Sequence, residues 1–323
     1  MTAFFRAAIV GGGRIAGVAD EPRESGPVRT HAQAYARHPR FRLDAVVDPD
    51  SNRRERFRDV WNVPNTFSSL DELLAAGAPD AISICSVTSE HYTQLLKIIE
   101  HGRTRTILTE KPVCEKAEEL RSILDAHAAH PETLVLVNHS RRFDPAHRRV
   151  AADIRAGRFG SLLGGRCDYY GGWLHNGTHL VDTLRMFLGD VRPGDAKPGP
   201  PGRPGDRCLD ARLFAGEAAI DLFGFDECHY QLFEIDLRFT EGRVAARNFG
   251  EEIVIEQVTT NAIEERFLAP AEESPLRGLD EPLRYAVDAM AEFLVSGKPA
   301  DCGATLQDAA ETMKVLWETA AQV

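Results

Sequence analysis

The feature that most constrains this chain is the alternation of short apolar runs with helix-like stretches over its first 140 residues. Apolar runs fall at Ala7–Val10, Leu43–Val47, Ala81–Cys85, Thr106–Leu108 and Leu134–Val137. Between them lie helical patterns at His31–Arg37, Arg53–Trp61, Leu70–Ala76, Glu90–His101 and Lys116–His130. Strands that alternate with helices build βαβ units around a parallel sheet covered on both faces. A doubly wound domain over residues 1–142 is therefore expected, with residues 143–323 as a second domain and Phe143–Gly157 as a connecting helix.

After residue 160 the pattern changes. One helix is expected from His179 to Leu188, stopped by Gly189. Val191–Arg207 is rich in Pro and Gly and reads as a loop, since Pro serves neither a central strand nor a helix interior. Strand-like runs follow at Leu209–Phe214, Ala218–Phe223, Tyr230–Phe239, Arg243–Phe249 and Ile253–Val258. Strands in succession without helices imply a largely antiparallel sheet. A helical pair, Pro282–Val295 and Thr305–Gln322, follows.

Composition narrows the function. The 323 residues carry 38 Lys and Arg against 49 Asp and Glu, a net charge of −11. That balance argues against a nucleic-acid or anionic-membrane partner, though not against a local basic pocket. No apolar run approaches the ~18–20 residues of a membrane span, and the N-terminal segment lacks a signal-peptide core. Six cysteines, Cys85, Cys114, Cys167, Cys208, Cys228 and Cys302, are scattered without a C-x-x-C pair. Reduced thiols in a cytoplasmic protein are expected.

The first strand runs into Gly11-Gly12-Gly13-Arg14-Ile15-Ala16, which fits G-x-G-x-x-[GA]. The first glycine allows a tight strand-to-helix turn, the second lets a pyrophosphate approach the backbone, and the third slot needs a small residue. A helix N-terminus then offers N–H groups to the phosphates. The second strand ends at Asp48, an acidic residue able to accept both ribose hydroxyls of NAD and to repel a 2′-phosphate. Asp48 lies further past the turn than the usual ~20 residues. An inserted loop at Ala19–Thr30 accounts for the excess. Arg53 and Arg54 follow closely and offer partners for a 2′-phosphate, so NADP stays open beside NAD.

Glu110-Lys111-Pro112 follows the fourth strand, where the carboxyl ends of a doubly wound sheet face the ligand crevice. Together with the glycine turn, the segment Asn138-His139-Ser140-Arg141-Arg142-Phe143-Asp144-Pro145 and the stretch Gly171-Gly172-Trp173-Leu174-His175-Asn176-Gly177-Thr178-His179, this triplet resembles the Gfo/Idh/MocA family of sugar and cyclitol oxidoreductases. The resemblance implies an α/β protein: an N-terminal Rossmann domain that binds NAD or NADP, then an α+β domain with a mixed, largely antiparallel sheet. It also implies a homodimer or homotetramer formed through that second sheet, and a small carbohydrate-like substrate. It places Gly11, Gly13, Arg14, Ile15, Ala16, Asp48, Ser86, Thr88, His91, Glu110 and Lys111 beside the cofactor, and it makes Lys111 and His179 catalytic. The family pattern has an aspartate four residues before that histidine, where this chain has His175. Either His175 takes over the aspartate's polar role, or the site is arranged differently, or activity has been lost.

The chemistry fits these residue types. Oxidising an alcohol removes a hydride from carbon and a proton from oxygen, so a base that titrates near working pH is needed. His179 meets that need, and Lys111 can stabilise charge developing on the reacting oxygen. Alternatively, each is an ordinary strand-end lysine or helix-start histidine. His175, His179 and Asp182 would share one face of a continuous helix, so that Asp182 either orients His179 or sits as a first-turn carboxylate. His175 and His179 have the spacing of zinc ligands, but a glycine intervenes and no third ligand is evident, so no metal is expected. Tyr169 and Tyr170, adjacent in a strand, point to opposite faces; Tyr170 is the candidate that reaches substrate. Arg141, Trp173 and Asn176 complete the candidate substrate contacts, with Arg142 as a second basic candidate. The competing readings are a cofactor-binding sensor without turnover and a reductase of a non-carbohydrate molecule.

Overall fold

The computed structural model describes residues 4–323. The chain divides into two compact units, residues 1–143 with 281–309, and residues 144–280 with 310–323.

The first unit follows the alternation. It runs β1 (Phe5–Val10), α1 (His31–Arg37), β2 (Phe41–Val47), α2 (Ser51–Trp61), β3 (Asn65–Phe67) and α3 (Leu70–Gly77). It continues through β4 (Ala81–Ile84), α4 (Thr88–His101), β5 (Thr106–Thr109), α5 (Ala117–Ala129), β6 (Leu134–Val137) and the short α6 (Ser140–Phe143). The six strands are parallel, in the spatial order β6-β5-β4-β1-β2-β3. Strands buried on both faces read as unbroken apolar runs, and all four residues of β4 and of β6 are buried. The connections reverse direction between β1 and β4, the switch point at which such sheets open a ligand crevice.

The second unit contains α7 (Pro145–Arg155), β7 (Leu162–Tyr170), a π-helical turn (Trp173–Gly177), α8 (Thr178–Leu188) and β8 (Arg192–Pro198). Then come β9 (Leu209–Ala215), β10 (Ala218–Phe225), β11 (Glu234–Phe239), β12 (Gly242–Arg247), β13 (Glu252–Thr260), β14 (Arg266–Pro270) and β15 (Leu276–Arg277). These form one nine-stranded sheet, antiparallel except where β10 runs parallel to β7. Alternate residues such as Leu213, Ile220, Leu222, Ile235 and Leu237 are buried on one face. The other carries self-paired charges, with Arg212 on Asp221 at 2.7 Å and Arg166 on Asp168 at 2.9 Å.

Three expectations need correction. Val191–Arg207 is not all loop, because β8 occupies 192–198. β8 is an edge strand paired only with β9, and an edge is where prolines are tolerated, since a missing N–H costs no ladder bond on the open side. The helix expected over Phe143–Gly157 is α7, but it begins only at Pro145, because the Asp144 side chain caps it and Phe143 ends α6. The expected single cut after residue 142 also fails for α9 (Pro282–Ser296) and β16 (Ala304–Thr305). Met290, Ala286, Leu294 and their neighbours are buried in one core with Ala7, Tyr35 and Leu108 of the first unit, and β16 pairs antiparallel with β6. The division between units falls inside α10 (Leu306–Ala320).

Candidate functional site

The glycine turn sits at the end of β1. Gly11 has φ +90°, and a Cβ there would meet the Ser86 backbone nitrogen at 2.5 Å, so this position requires glycine both for conformation and for the approach of the β4 turn. Gly12 donates its N–H to Asp48 Oδ2 at 2.8 Å. A Cβ at Gly13 would meet nothing within 4 Å, which leaves its backbone open to a ligand group.

As the position of Asp48 implied, the helix does not follow the turn directly but begins at His31. His31 donates its backbone N–H to the Ile15 carbonyl, and Ala32 donates to Ala16. In a continuous α-helix this bond joins residues four apart. Here it joins residues sixteen apart (31 − 15), so twelve residues are looped out between the glycine turn and α1. That is the length of Ala19–Thr30. Gln33 and Arg37 on α1 pin the excursion by donating to the Arg23 carbonyl at 2.6 and 2.7 Å.

Asp48 is 1% exposed. Its Oδ1 accepts from the Asp50 N–H at 2.9 Å, and Arg53 Nη1 lies 3.2 Å from Oδ2. Arg54 turns instead to the Asp48 backbone carbonyl at 2.6 Å. The first unit holds a cavity of about 660 Å³ lined by Gly11, Gly13, Asp48, Arg53, Ser86 and Val87, joined by Ser68, Ser69, Gln94 and Lys97. The last four escaped the sequence reading. Ser68 and Ser69 follow β3, a strand too short to register as one. Gln94 and Lys97 lie on α4, where Lys97 pairs with Asp71. Arg14 and Ile15 are exposed, Ala16 is buried, and Thr88 is half-buried at the start of α4.

Glu110 and Lys111 follow β5. Glu110 Oε1 accepts from Asn138 Nδ2 at 2.7 Å and lies 2.9 Å from His31 Nε2. Burial opposes ionisation of Glu110. The His31 hydrogen bond and charge, the Asn138 hydrogen bond and the nearby Lys111 charge outweigh it and hold the carboxyl below its ordinary range. His91 was expected beside the cofactor. It is buried, and its ring nitrogens meet the carbonyls of Pro112 at 2.7 Å and Ser86 at 3.1 Å, so it ties the β4 and β5 turns together.

In the second unit the Gly-Gly stretch forms the π turn. The Asn176 and Gly177 N–H groups both reach the Gly172 carbonyl, so His175 lies before the α-helical periodicity begins. The single helical face expected for His175, His179 and Asp182 is therefore interrupted at Gly177. His175 and His179 are half-buried. Asp206, which belongs to none of the sequence motifs, fixes the turn by accepting the Leu174 and His175 N–H groups at 2.9 and 2.7 Å. Asp182 is 1% exposed and accepts from Thr312 Oγ1 at 3.1 Å.

The remaining substrate candidates divide. Trp173 is 2% exposed and donates its indole N–H to the Leu316 carbonyl, so its ring is packing and offers no face to a sugar. Tyr169 is buried, with its hydroxyl bonded to both the Leu209 carbonyl and the Leu209 N–H. Tyr170 is half-buried against Phe249. Arg141 and Asn176 are buried, and Arg142 pairs with Asp308 at 3.1 Å. Among the described residues no cluster of three His, Cys, Asp or Glu could hold a metal. No helix among the described residues is long and apolar enough to cross a membrane. The six cysteines are unbridged.

A doubly wound sheet with a glycine turn at its switch point and an acidic residue ending β2 defines a dinucleotide-binding domain. Residues 5–139 match the Gfo/Idh/MocA family model, described as oxidoreductase family, NAD-binding Rossmann fold. The rhizopine catabolism protein MocA of Rhizobium meliloti is 27% identical over 199 residues, covering 57% of each chain. The inositol 2-dehydrogenase of Acidothermus cellulolyticus is 32% identical over 123 residues, covering 37% of this chain and 34% of that one. The chain thus spans between about a third and 57% of the length of these two curated relatives. The structure of KijD10, a 3-ketoreductase from Actinomadura kijaniata in complex with NADP, shares the fold with a TM-score of 0.76 at 18% identity, covering 99% of this chain and 97% of that one. An oxidoreductase from Agrobacterium radiobacter in complex with NAD+, L-tartaric acid and magnesium gives 0.75 at 16%, covering 98% and 96%.

Proposed function

We propose that the protein is an NAD(P)-dependent oxidoreductase that exchanges a hydride with a secondary alcohol or ketone of a sugar, nucleotide sugar or cyclitol. The observation that carries this reading is the presence, at the carboxyl ends of one parallel sheet, of both an open glycine turn and the Glu110-Lys111 pair. The dinucleotide is proposed to lie in the cavity beside Gly11 and Gly13, with Asp48 accepting from the ribose. The names of the relatives, inositol 2-dehydrogenase and 3-ketoreductase, support a polyol or keto-sugar as the substrate class.

When bound, nicotinamide supplies the hydride acceptor or donor. The chain's residues handle the charge and the proton. The Lys111 ammonium stabilises negative charge on the reacting oxygen. His179 is proposed to take the alcohol proton on oxidation and return it on reduction, since an imidazole changes charge near working pH. Asp182, held by Thr312, is proposed as its support. His175, in place of the family's aspartate, favours a second reading, a cofactor-binding sensor that does not turn over.

The test is titration with NAD, NADH, NADP and NADPH, followed by myo-inositol and a panel of nucleotide sugars read at the reduced-nicotinamide absorbance. Binding with turnover supports the enzyme. Binding without turnover on any panel member supports the sensor, and no binding by folded, cofactor-free protein rejects both.

A further inference from the structure

Lys111 is flanked by two residues, and each is anchored by a histidine. Glu110, before it, lies against His31; the carbonyl of Pro112, after it, lies 2.7 Å from His91 Nδ1. Of the two, His31 has the greater reach. Its backbone N–H is bonded to the Ile15 carbonyl of the glycine turn, and its ring runs to the lysine's neighbour. The ring is fully buried. An ionised carboxylate only accepts, so Nε2 carries the hydrogen given to Glu110. At the other end Nδ1 lies 3.0 Å from Ser83 Oγ, which in turn lies 2.9 Å from the Tyr35 hydroxyl. The imidazole is thus held at both ends, and Glu110 Oε1 receives two donors.

We propose that His31 is a positioning residue for Lys111: it holds Glu110 by a donated hydrogen bond and thereby limits how strongly that carboxylate binds the lysine ammonium. The other titratable neighbours of Glu110 are Lys111 itself and Cys85, whose thiol is kept protonated by burial and by the Glu110 charge. Without the His31 donor, the carboxylate's charge acts more fully on Lys111, and the ammonium becomes harder to deprotonate. The inference rests on the reading of Lys111 as a charge- and proton-handling group.

The test measures the basicity of Lys111 directly. The whole chain is acetylated briefly with acetic anhydride across a pH series, and the Lys111 peptide is quantified by mass spectrometry. In His31→Leu the labelling midpoint should rise by about 0.5–1 pH unit. In His31→Gln, whose amide can donate from the place of Nε2, it should return to the wild-type value. An unchanged midpoint in a folded His31→Leu overturns the proposal. So does a folded His31→Gln that shifts as far as the leucine variant, since shape and not the donor would then matter. If His31→Leu does not fold, Ser83→Ala removes only the far partner of the ring; a smaller rise supports the proposal and no rise overturns it. Labelling needs no turnover. A wild type that labels as expected yet oxidises and reduces nothing would remove the enzyme reading and leave the His31 coupling in place.

Discussion

The Gly12 N–H and Asp48 Oδ2 are 2.8 Å apart, so the residue proposed to read the ribose also sets the glycine turn. Asp48→Ala removes a ribose acceptor and a backbone anchor together. NAD affinity should fall at least about tenfold, or 1.4 kcal/mol, and NADP affinity should fall less, because the charge that repels a 2′-phosphate is gone. Calorimetric titration of both nucleotides checks this, and equal losses would reject Asp48 as the ribose reader.

Gly11 and Gly13 should fail differently. Gly11→Ala forces a Cβ onto the Ser86 nitrogen at a φ of +90°, so it should cost roughly 2–3 kcal/mol of stability in urea unfolding. A Cβ on Gly13 meets no protein atom within 4 Å. Gly13→Ala should unfold near the wild-type midpoint but lose nucleotide affinity, because the methyl occupies space proposed for the pyrophosphate. Undiminished NADH binding by Gly13→Ala would place the nucleotide elsewhere.

Lys111→Ala and His179→Ala should each slow turnover of the substrate found in the panel by about 10²–10⁴-fold, the usual contribution of a proton-transfer group. NADH affinity should change little in either. A variant that retains the wild-type kcat rules out its own residue.

Acid should unfold the second unit through Asp144. Burial opposes its ionisation, but the His147 ring at 2.7 Å and the N–H groups of His147 and Leu279 hold its carboxyl below the ordinary 3.8. A carboxyl depressed in the native state stabilises it above the unfolded value, and that stability drains as pH falls through the native one. The wild type should lose stability below about pH 4. Asp144→Asn should be less stable near neutrality and show a shallower acid limb in thermal melts; identical limbs would exclude Asp144 as a source of the acid sensitivity.

Much of the first unit was legible because its information is local. Ile82, Ile84, Leu136 and Val137 are apolar in sequence since both faces of their strands are covered, and the glycine turn carries its own steric signature. β3 escaped because three residues at a sheet edge, Asn65 to Phe67, have no periodicity. β8 escaped because its prolines spoke against strand, and only its place at the sheet edge reverses that reading. Trp173 stood among the candidate substrate contacts because an aromatic ring beside glycines is ambiguous between stacking and packing until its indole N–H is seen on Leu316.

What the sequence determined by itself was the doubly wound unit, the dinucleotide turn, the acidic end of β2 and the family resemblance those motifs carry. Each depends on residues within a few positions of one another, where backbone sterics and burial period leave a direct trace. The tertiary structure alone decided that α9 returns to the first core and that Asp206 fastens the turn carrying His175. It alone brought His31 to Glu110 across 79 positions. A hydrogen bond between distant residues imposes no spacing on the chain, so a single buried histidine carries no mark of its partner until the sheet is folded.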